Sequence, residues 1–377
     1  MKNKAAFISI VLILLCSGLC GQFAVQESSL SGVTQTADMP TFHFPNIWNG
    51  TWQETYEDYL SDNLKLRNLL IPMKNQIVYS VLRSSPNENI VIGKNNSLFE
   101  EEYIDFETQI YSPMSQDDIE QLVQKLVLLN DSFHEMGKHF FIFVTPSKAE
   151  IYKEEIPDRF LKIAPTEQKT STYELFMDAL EHTGIAYYDS IPDVRVLKET
   201  SEFRVFPLTG THWSSVTAAI CAEKLADSME TQLGINLPET NVSYEKCDEP
   251  ISPDSDLYDA LNLIRKSRES FYRPISEITD YEKNDYTIFA RGGSFMGSSL
   301  GKLISSGYFE DSYYLENTII RCSDRETDPV FSNYDQLPVK ELINNSDIIF
   351  LEVNEEAIPR MSFGFIEYLL DNNVFEK

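Results

Sequence analysis

The chain is short of cysteine, histidine and positive charge, and each shortage excludes something. Five cysteines occur in 377 residues, and Cys16 and Cys20 fall in an apolar N-terminal stretch. The other three, Cys221, Cys247 and Cys322, allow at most one bridge, so no disulfide framework defines this fold. There are five histidines; His134 and His139 do not share a helical face, and no Cys/His spacing suggests zinc. Asp and Glu number 59 against 31 Lys and Arg, a net charge of −28, which argues against nucleic acid as a partner. A P-loop, a dinucleotide fingerprint and an internal repeat are all missing, so neither a cofactor nor a metal is expected. Beyond the N-terminus no apolar run is long enough for a second membrane span.

What is present begins with that N-terminus. Lys2 and Lys4 precede an apolar run over 5–16 that stays apolar or small to Phe23, a basic start followed by an export core. Residues 1–23 are expected to be a signal peptide or a retained anchor, at about 18 residues near the lower limit for a span. The lysines predict that the rest of the chain, secreted or anchored, lies outside the cytoplasm. Residues 24–45 are polar and read as a spacer. Residues 46–377 are expected to form the working domain, with 42% apolar residues overall giving ample core.

Within that domain, apolar strands alternate with amphipathic helices. Helical periodicity is clear over 46–83, 115–137 and 172–182. Residues 90–99 read as a hairpin turning on Gly93-Lys94-Asn95-Asn96. Buried strands are expected over 139–145, 185–188, 286–290, 313–320 and 347–353, with helices over 339–344 and 363–370. Residues 236–255 read as an excursion from the sheet and 257–270 as a helix. Repeated strand–helix alternation predicts a mostly parallel sheet with helices on both faces. Ligands of such sheets bind beyond the carboxyl ends of the strands. Lys148, Asp189, Ser294 and the 352–355 segment all fall at that edge.

Two stretches there carry chemistry. In 206–214, Thr211 reads as the N-cap of a following helix and places His212 at the helix start, where the dipole favours the neutral imidazole that a general base needs. The plainer reading is a histidine packed beside Trp213. Eighty residues on, the 286–290 strand ends in Arg291-Gly292-Gly293-Ser294-Phe295 and enters a helix. The two glycines permit a tight turn, and the helix amides beyond it can face an oxyanion. The spacing is not the nucleophile elbow of the α/β-hydrolases.

Five stretches in order resemble the AlgX/AlgJ-like alginate O-acetyltransferase family of SGNH type. They are Gly93-Lys94-Asn95-Asn96-Ser97-Leu98-Phe99, then Pro146-Ser147-Lys148-Ala149-Glu150-Ile151-Tyr152 with Pro157, then Thr211-His212-Trp213, Gly293-Ser294-Phe295 and the 347–355 strand. The resemblance implies an SGNH-hydrolase-like, flavodoxin-like α/β domain. It also implies a Ser–His–Asp mechanism, with Ser294 accepting an acetyl group, His212 as base, and a hydroxyl of an exported or cell-wall polysaccharide as acceptor. A membrane-bound O-acyltransferase is the partner it implies. The family acid stands two residues before the histidine, where this chain has Gly210, and loss of such an acid costs about 10⁴ in rate. Asp189 is the first replacement expected, with Glu352 or Glu355 next. Gly293, Arg291, Lys148 and Trp213 are expected to bind substrate or help at the oxyanion. Two alternatives stand beside the transferase: a carbohydrate acetylesterase, and a non-catalytic polysaccharide-binding or assembly subunit.

Overall fold

The computed structural model describes residues 30–31, 37–63, 65–280, 285–322, 330–372 and 374–375. The expected export segment and much of the spacer lie outside them, as does the Cys322 side chain. Among the described residues, no helix is long and apolar enough to cross a membrane. Two compact units divide the chain, 1–92 with 257–268 and 93–256 with 269–377.

The first unit contains helices Phe44–Trp48, Thr51–Asn63 and Lys65–Ser80 and a short strand, β1 (Ile90–Ile92). Trp52, Tyr56 and Tyr59, at helical i, i+4, i+7 spacing, stack along one face, with Trp52 and Tyr56 centroids 4.8 Å apart. Buried Asn75 donates to the Leu261 carbonyl at 2.8 Å, and Tyr79 meets Tyr258 edge-on.

The second unit opens on a tight turn. Gly93 N–H donates to the Ser97 carbonyl at 2.7 Å, and Asn95 and Asn96 hold the left-handed conformation that asparagine tolerates. β2 (Leu98–Glu100) follows. The core is a six-stranded sheet built from β3 (His139–Thr145), β4 (Ala186–Asp189), β7 (Thr287–Gly292), β8 (Asp311–Glu316), β9 (Ile319–Cys322) and β10 (Ile348–Asn354). Its order is β4-β3-β10-β7-β8-β9, all parallel except the β9 edge. β3 and β10 are apolar almost throughout because both of their faces are covered. On one face Phe140 meets Phe133 of helix Gln116–Glu135, and Phe289 meets Phe365 of helix Phe365–Asp371. On the other, Phe143 lies beside Trp213, Tyr188 and Phe350. Helices Ser215–Leu233 and Ser294–Ser305 belong to this second layer.

Three expectations change. The 313–320 strand is a hairpin, because Asn317 takes a left-handed turn between β8 and β9. The 236–255 excursion contains a strand, β5 (Glu239–Cys247), paired antiparallel with β6 (Phe271–Asp280). The 257–270 helix shrinks to Asp256–Ala260. β5 and β6 escape a reading by periodicity because most of their side chains face solvent and leave no apolar stripe.

Candidate active site

The parallel strands end along one edge, and β7 delivers the Ser294 turn there. Gly292 closes the strand, Gly293 caps the next helix, and Ser294 is that helix's first residue. A side chain at Gly292 would lie 2.7 Å from the Glu352 side chain and 2.9 Å from Met296 Sδ. Glycine is therefore required for the turn to sit against β10.

His212 comes from a loop two residues ahead of the helix cap. The cap is Ser214, whose hydroxyl accepts from Thr217 N–H; Thr211, the expected cap, is not at the helix end. The helix dipole argument for the imidazole therefore loses its geometry. The ring is held instead by partners on both nitrogens. Its Nε2 lies 2.7 Å from Ser294 Oγ, and its Nδ1 lies 2.5 Å from Asp256 Oδ2. Phe295 packs beside the ring, centroids 5.0 Å apart.

Asp256 is the residue that the sequence reading missed. It has no place in an apolar strand or a short motif, and only the folding of two loops brings it to His212. Its other oxygen accepts the Thr211 N–H at 2.8 Å, which fixes the carboxylate against the histidine loop. Neighbouring bonds fasten the same loops: Asp254 accepts from the N–H and hydroxyl of Ser215, and the Asp254 carbonyl accepts from the Thr209 hydroxyl. Burial pushes the Asp254 carboxyl up to about 6. At Gly210, a Cβ would stand 2.8 Å from the Asp254 carbonyl oxygen and 3.3 Å from Asp256 Oδ1. The missing side chain at 210 is what lets the loop bearing Asp256 close in.

Asp189 goes elsewhere. At the end of β4 it accepts the Tyr173 hydroxyl at 2.6 Å and the Ile191 N–H at 3.0 Å. β4 is three strand positions from β7, a separation of about 14 Å at sheet spacing, so it does not share the Ser294–His212 line. Glu355 spends both oxygens on the Ser147 N–H and hydroxyl, at 2.6 Å each. Glu352 lies beneath the Ser294 turn, accepting from the Gly293 N–H at 2.7 Å and from the Thr145 hydroxyl at 2.6 Å. Full burial raises its carboxyl to about 7, against the pull of those hydrogen bonds.

Of the four residues expected to touch substrate or an oxyanion, three are buried in contacts within the protein and Gly293 lines the cleft. Lys148 is buried and donates to the carbonyls of Pro207, Leu208 and Gly210, the last at 2.9 Å, with its amine over the Phe99 ring. It anchors the loop that carries His212, and burial pulls its amine down to about 7. Arg291 is buried in the sheet, donating to the Gly292 and Leu315 carbonyls and the Tyr334 hydroxyl. Trp213 is buried and donates Nε1–H to Ser298 Oγ at 2.6 Å. Gly293 does line the cleft, but its N–H is engaged by Glu352. In the first turn of helix Ser294–Ser305 the Met296 N–H is taken by the Gly293 carbonyl at 3.2 Å, so the Ser294 and Phe295 N–H groups, which a helix start leaves without an intrahelical acceptor, are the backbone donors that can face an oxyanion.

Ser294 lies where two cavities meet. One, of about 530 Å³, is lined by His212, Lys302, Tyr314 and Glu316 among others. The other, of about 230 Å³, is lined by Glu100, Glu102, Glu352, Glu356, Arg360 and Phe363 among others. Among the described residues no cluster of His, Cys, Asp and Glu could hold a metal ion.

A family model described as an SGNH hydrolase-like domain, acetyltransferase AlgX, matches residues 90–293, more than half of the chain. The chain belongs to this family. The match takes in His212 and Asp256 and stops one residue short of Ser294. The Pseudomonas aeruginosa protein named "Probable alginate O-acetylase AlgJ" is 26% identical over 217 residues, 56% of this chain and 50% of that protein. This chain thus spans about half the length of that curated relative. Solved structures with a similar fold include the O-acetyltransferase domain of Pseudomonas putida AlgJ (15% identity, 76% of this chain and 99% of that one, TM-score 0.45) and Pseudomonas aeruginosa AlgX (12%, 74% and 67%, TM-score 0.46). The fold is the SGNH-like α/β fold of that family.

Proposed function

We propose that this protein is an extracytoplasmic O-acetyltransferase that moves an acetyl group through Ser294 to a hydroxyl of an exported or cell-wall polysaccharide. The supporting observation is the hydrogen-bonded line from Ser294 Oγ through His212 to Asp256, 2.7 and 2.5 Å. In the first half-reaction, Ser294 Oγ bonds to the acetyl carbonyl carbon of the donor while its proton passes to His212 Nε2. The bond from that carbon to the leaving oxygen breaks, and His212 returns the proton to the leaving group. In the second, a sugar hydroxyl attacks the acetyl-serine, its proton passes to Nε2, and Ser294 leaves and regains a proton. Asp256 holds Nδ1–H throughout and balances the imidazolium that forms twice per cycle.

Gly210 is the motive for the alternative of a non-catalytic subunit, and the Asp256–His212 contact supports the catalytic reading over it. Family membership supports acetyl transfer and a polysaccharide acceptor. The apolar start of the sequence supports a site outside the cytoplasm, anchored or secreted, within reach of a membrane-bound O-acyltransferase that supplies acetyl groups. The test is turnover of p-nitrophenyl acetate by Ser294→Ala, with fluorophosphonate labelling of the parent protein. Loss of turnover to background and an adduct on Ser294 are expected; full turnover by the variant contradicts the mechanism. Product counts with and without an acceptor glycan separate transfer from simple hydrolysis.

A further inference from the structure

The residues lining the two cavities at Ser294 have a lopsided charge. They include five glutamates, Glu100, Glu102, Glu316, Glu352 and Glu356, and besides His212 only two basic residues, Lys302 and Arg360. Arg360 is already committed. Its two terminal nitrogens donate to the two Glu356 oxygens at 2.8 Å each, and Glu102 lies 3.3 Å from the same guanidinium. The planar fork that would grip a carboxylate, phosphate or sulfate is therefore occupied by the protein's own side chain. Glu100 is crowded as well: burial and the charges of Asp256, Glu102 and Glu356 raise its carboxyl, with His212 pulling the other way. At the rim of the same cavity Phe363 is 39% exposed, and the Arg291 guanidinium holds its ring from 4.5 Å.

Each part suits an uncharged or basic sugar. Carboxylates accept charge-assisted hydrogen bonds from hydroxyl, amide or ammonium groups, and an exposed aromatic ring offers a surface for the apolar face of a pyranose. A polymer with an anion on every sugar meets like charge within one Debye length and finds one lysine, Lys302, and no uncommitted guanidinium to pair with.

On the reading that Ser294 carries the acetyl group, we infer that the acceptor is a glycan of neutral or amino sugars, and that the wall of Glu100 and Glu102 selects against uronate polymers. The experiment uses the full chain, p-nitrophenyl acetate as donor, and matched oligomers of glucose, glucosamine and galacturonate as acceptors. Acetylated product is counted by mass spectrometry at low salt, and the Ser294 peptide is checked for a trapped acetyl group. Acetyl transfer to the glucose or glucosamine oligomer is expected to exceed transfer to galacturonate by about tenfold or more. Added salt, or the double change Glu100→Gln with Glu102→Gln, is expected to narrow that ratio to about threefold or less. Galacturonate accepting as well as the others, with Ser294 acetylated, overturns the inference and leaves the acyl-serine reading intact. Absence of any acetyl on Ser294 instead overturns the acyl-serine reading, and the inference falls with it.

Discussion

Asp189 and Asp256 are two carboxylates of one chain with opposite histories. Asp189 ends a regular strand on the edge where parallel sheets keep their sites, yet it is spent on Tyr173 and its own turn. Asp256 follows a stretch without periodicity, and it is the one that meets His212. The sheet places Ser294 in the plane of its strand ends. Asp256 arrives from outside the sheet, through a loop that can close only because residue 210 has no side chain. A regular element thus predicts where a site lies better than it predicts which residue completes it. A missing motif residue can also mark the place where another segment has come in.

The largest effect that can break this comparison is kinetic. Asp256→Asn is expected to lower kcat/KM for p-nitrophenyl acetate by about 10⁴, since it leaves the imidazole without its orienting acid. Asp189→Asn should stay within about twofold of the parent. Equal losses in the two variants would erase the distinction between them.

Next comes Glu352, with a carboxyl raised from 4.5 to about 7. The folded state binds its proton more tightly than the unfolded chain does. Its stabilising contribution is therefore complete below about pH 4.5 and lost as pH rises through 7, a span on the order of 3 kcal/mol. Glu352→Gln, which copies the protonated form, is expected to flatten that part of the stability–pH curve in urea melts and to be the more stable protein at pH 8. An unchanged slope would contradict this account of the buried carboxyl.

Lys148→Met tests the anchor of the histidine loop. It leaves the Pro207, Leu208 and Gly210 carbonyls without their shared donor, a loss of about 2 kcal/mol in unfolding free energy. The rate should fall as well, because His212 is two residues beyond Gly210. Full stability in chemical denaturation would show that the three carbonyls find other partners. The smallest effect sharpens the comparison most. Gly210→Asp supplies the acid that the sequence resemblance implies at this position, but its Cβ meets the Asp254 carbonyl. Turnover is expected to drop about tenfold, and the change is not expected to rescue Asp256→Asn. A rescue would mean that position 210 can still serve as the acid.

Much of this was legible in the chain, for physical reasons. β3, β7 and β10 are buried on both faces and so stand out as nearly continuous apolar runs. The short motifs were legible because they are parts of one assembly. Leu98 N–H donates to the Leu208 carbonyl, Phe99 lies beneath the Lys148 amine, Lys148 grips the loop before His212, and Ser147 binds Glu355. What those motifs do was not legible: Lys148, Arg291 and Trp213 are polar or aromatic residues at the right edge, yet all three are buried in supporting contacts. The ribbon of β5 and β6 left no apolar stripe, so the segment leading to Asp256 read as an excursion. Sequence distance hid Asp256, which stands 44 residues beyond the histidine it meets.

The most direct measurement watches the proton between His212 and that acid. With histidine labelled by nitrogen-15, the Nδ1–H of His212 should give a far-downfield proton resonance, as expected for a short bond to a carboxylate. The resonance should vanish in Asp256→Asn and persist in Asp189→Asn. Persistence in Asp256→Asn, or loss in Asp189→Asn, would contradict the claim that Asp256 supplies the acid.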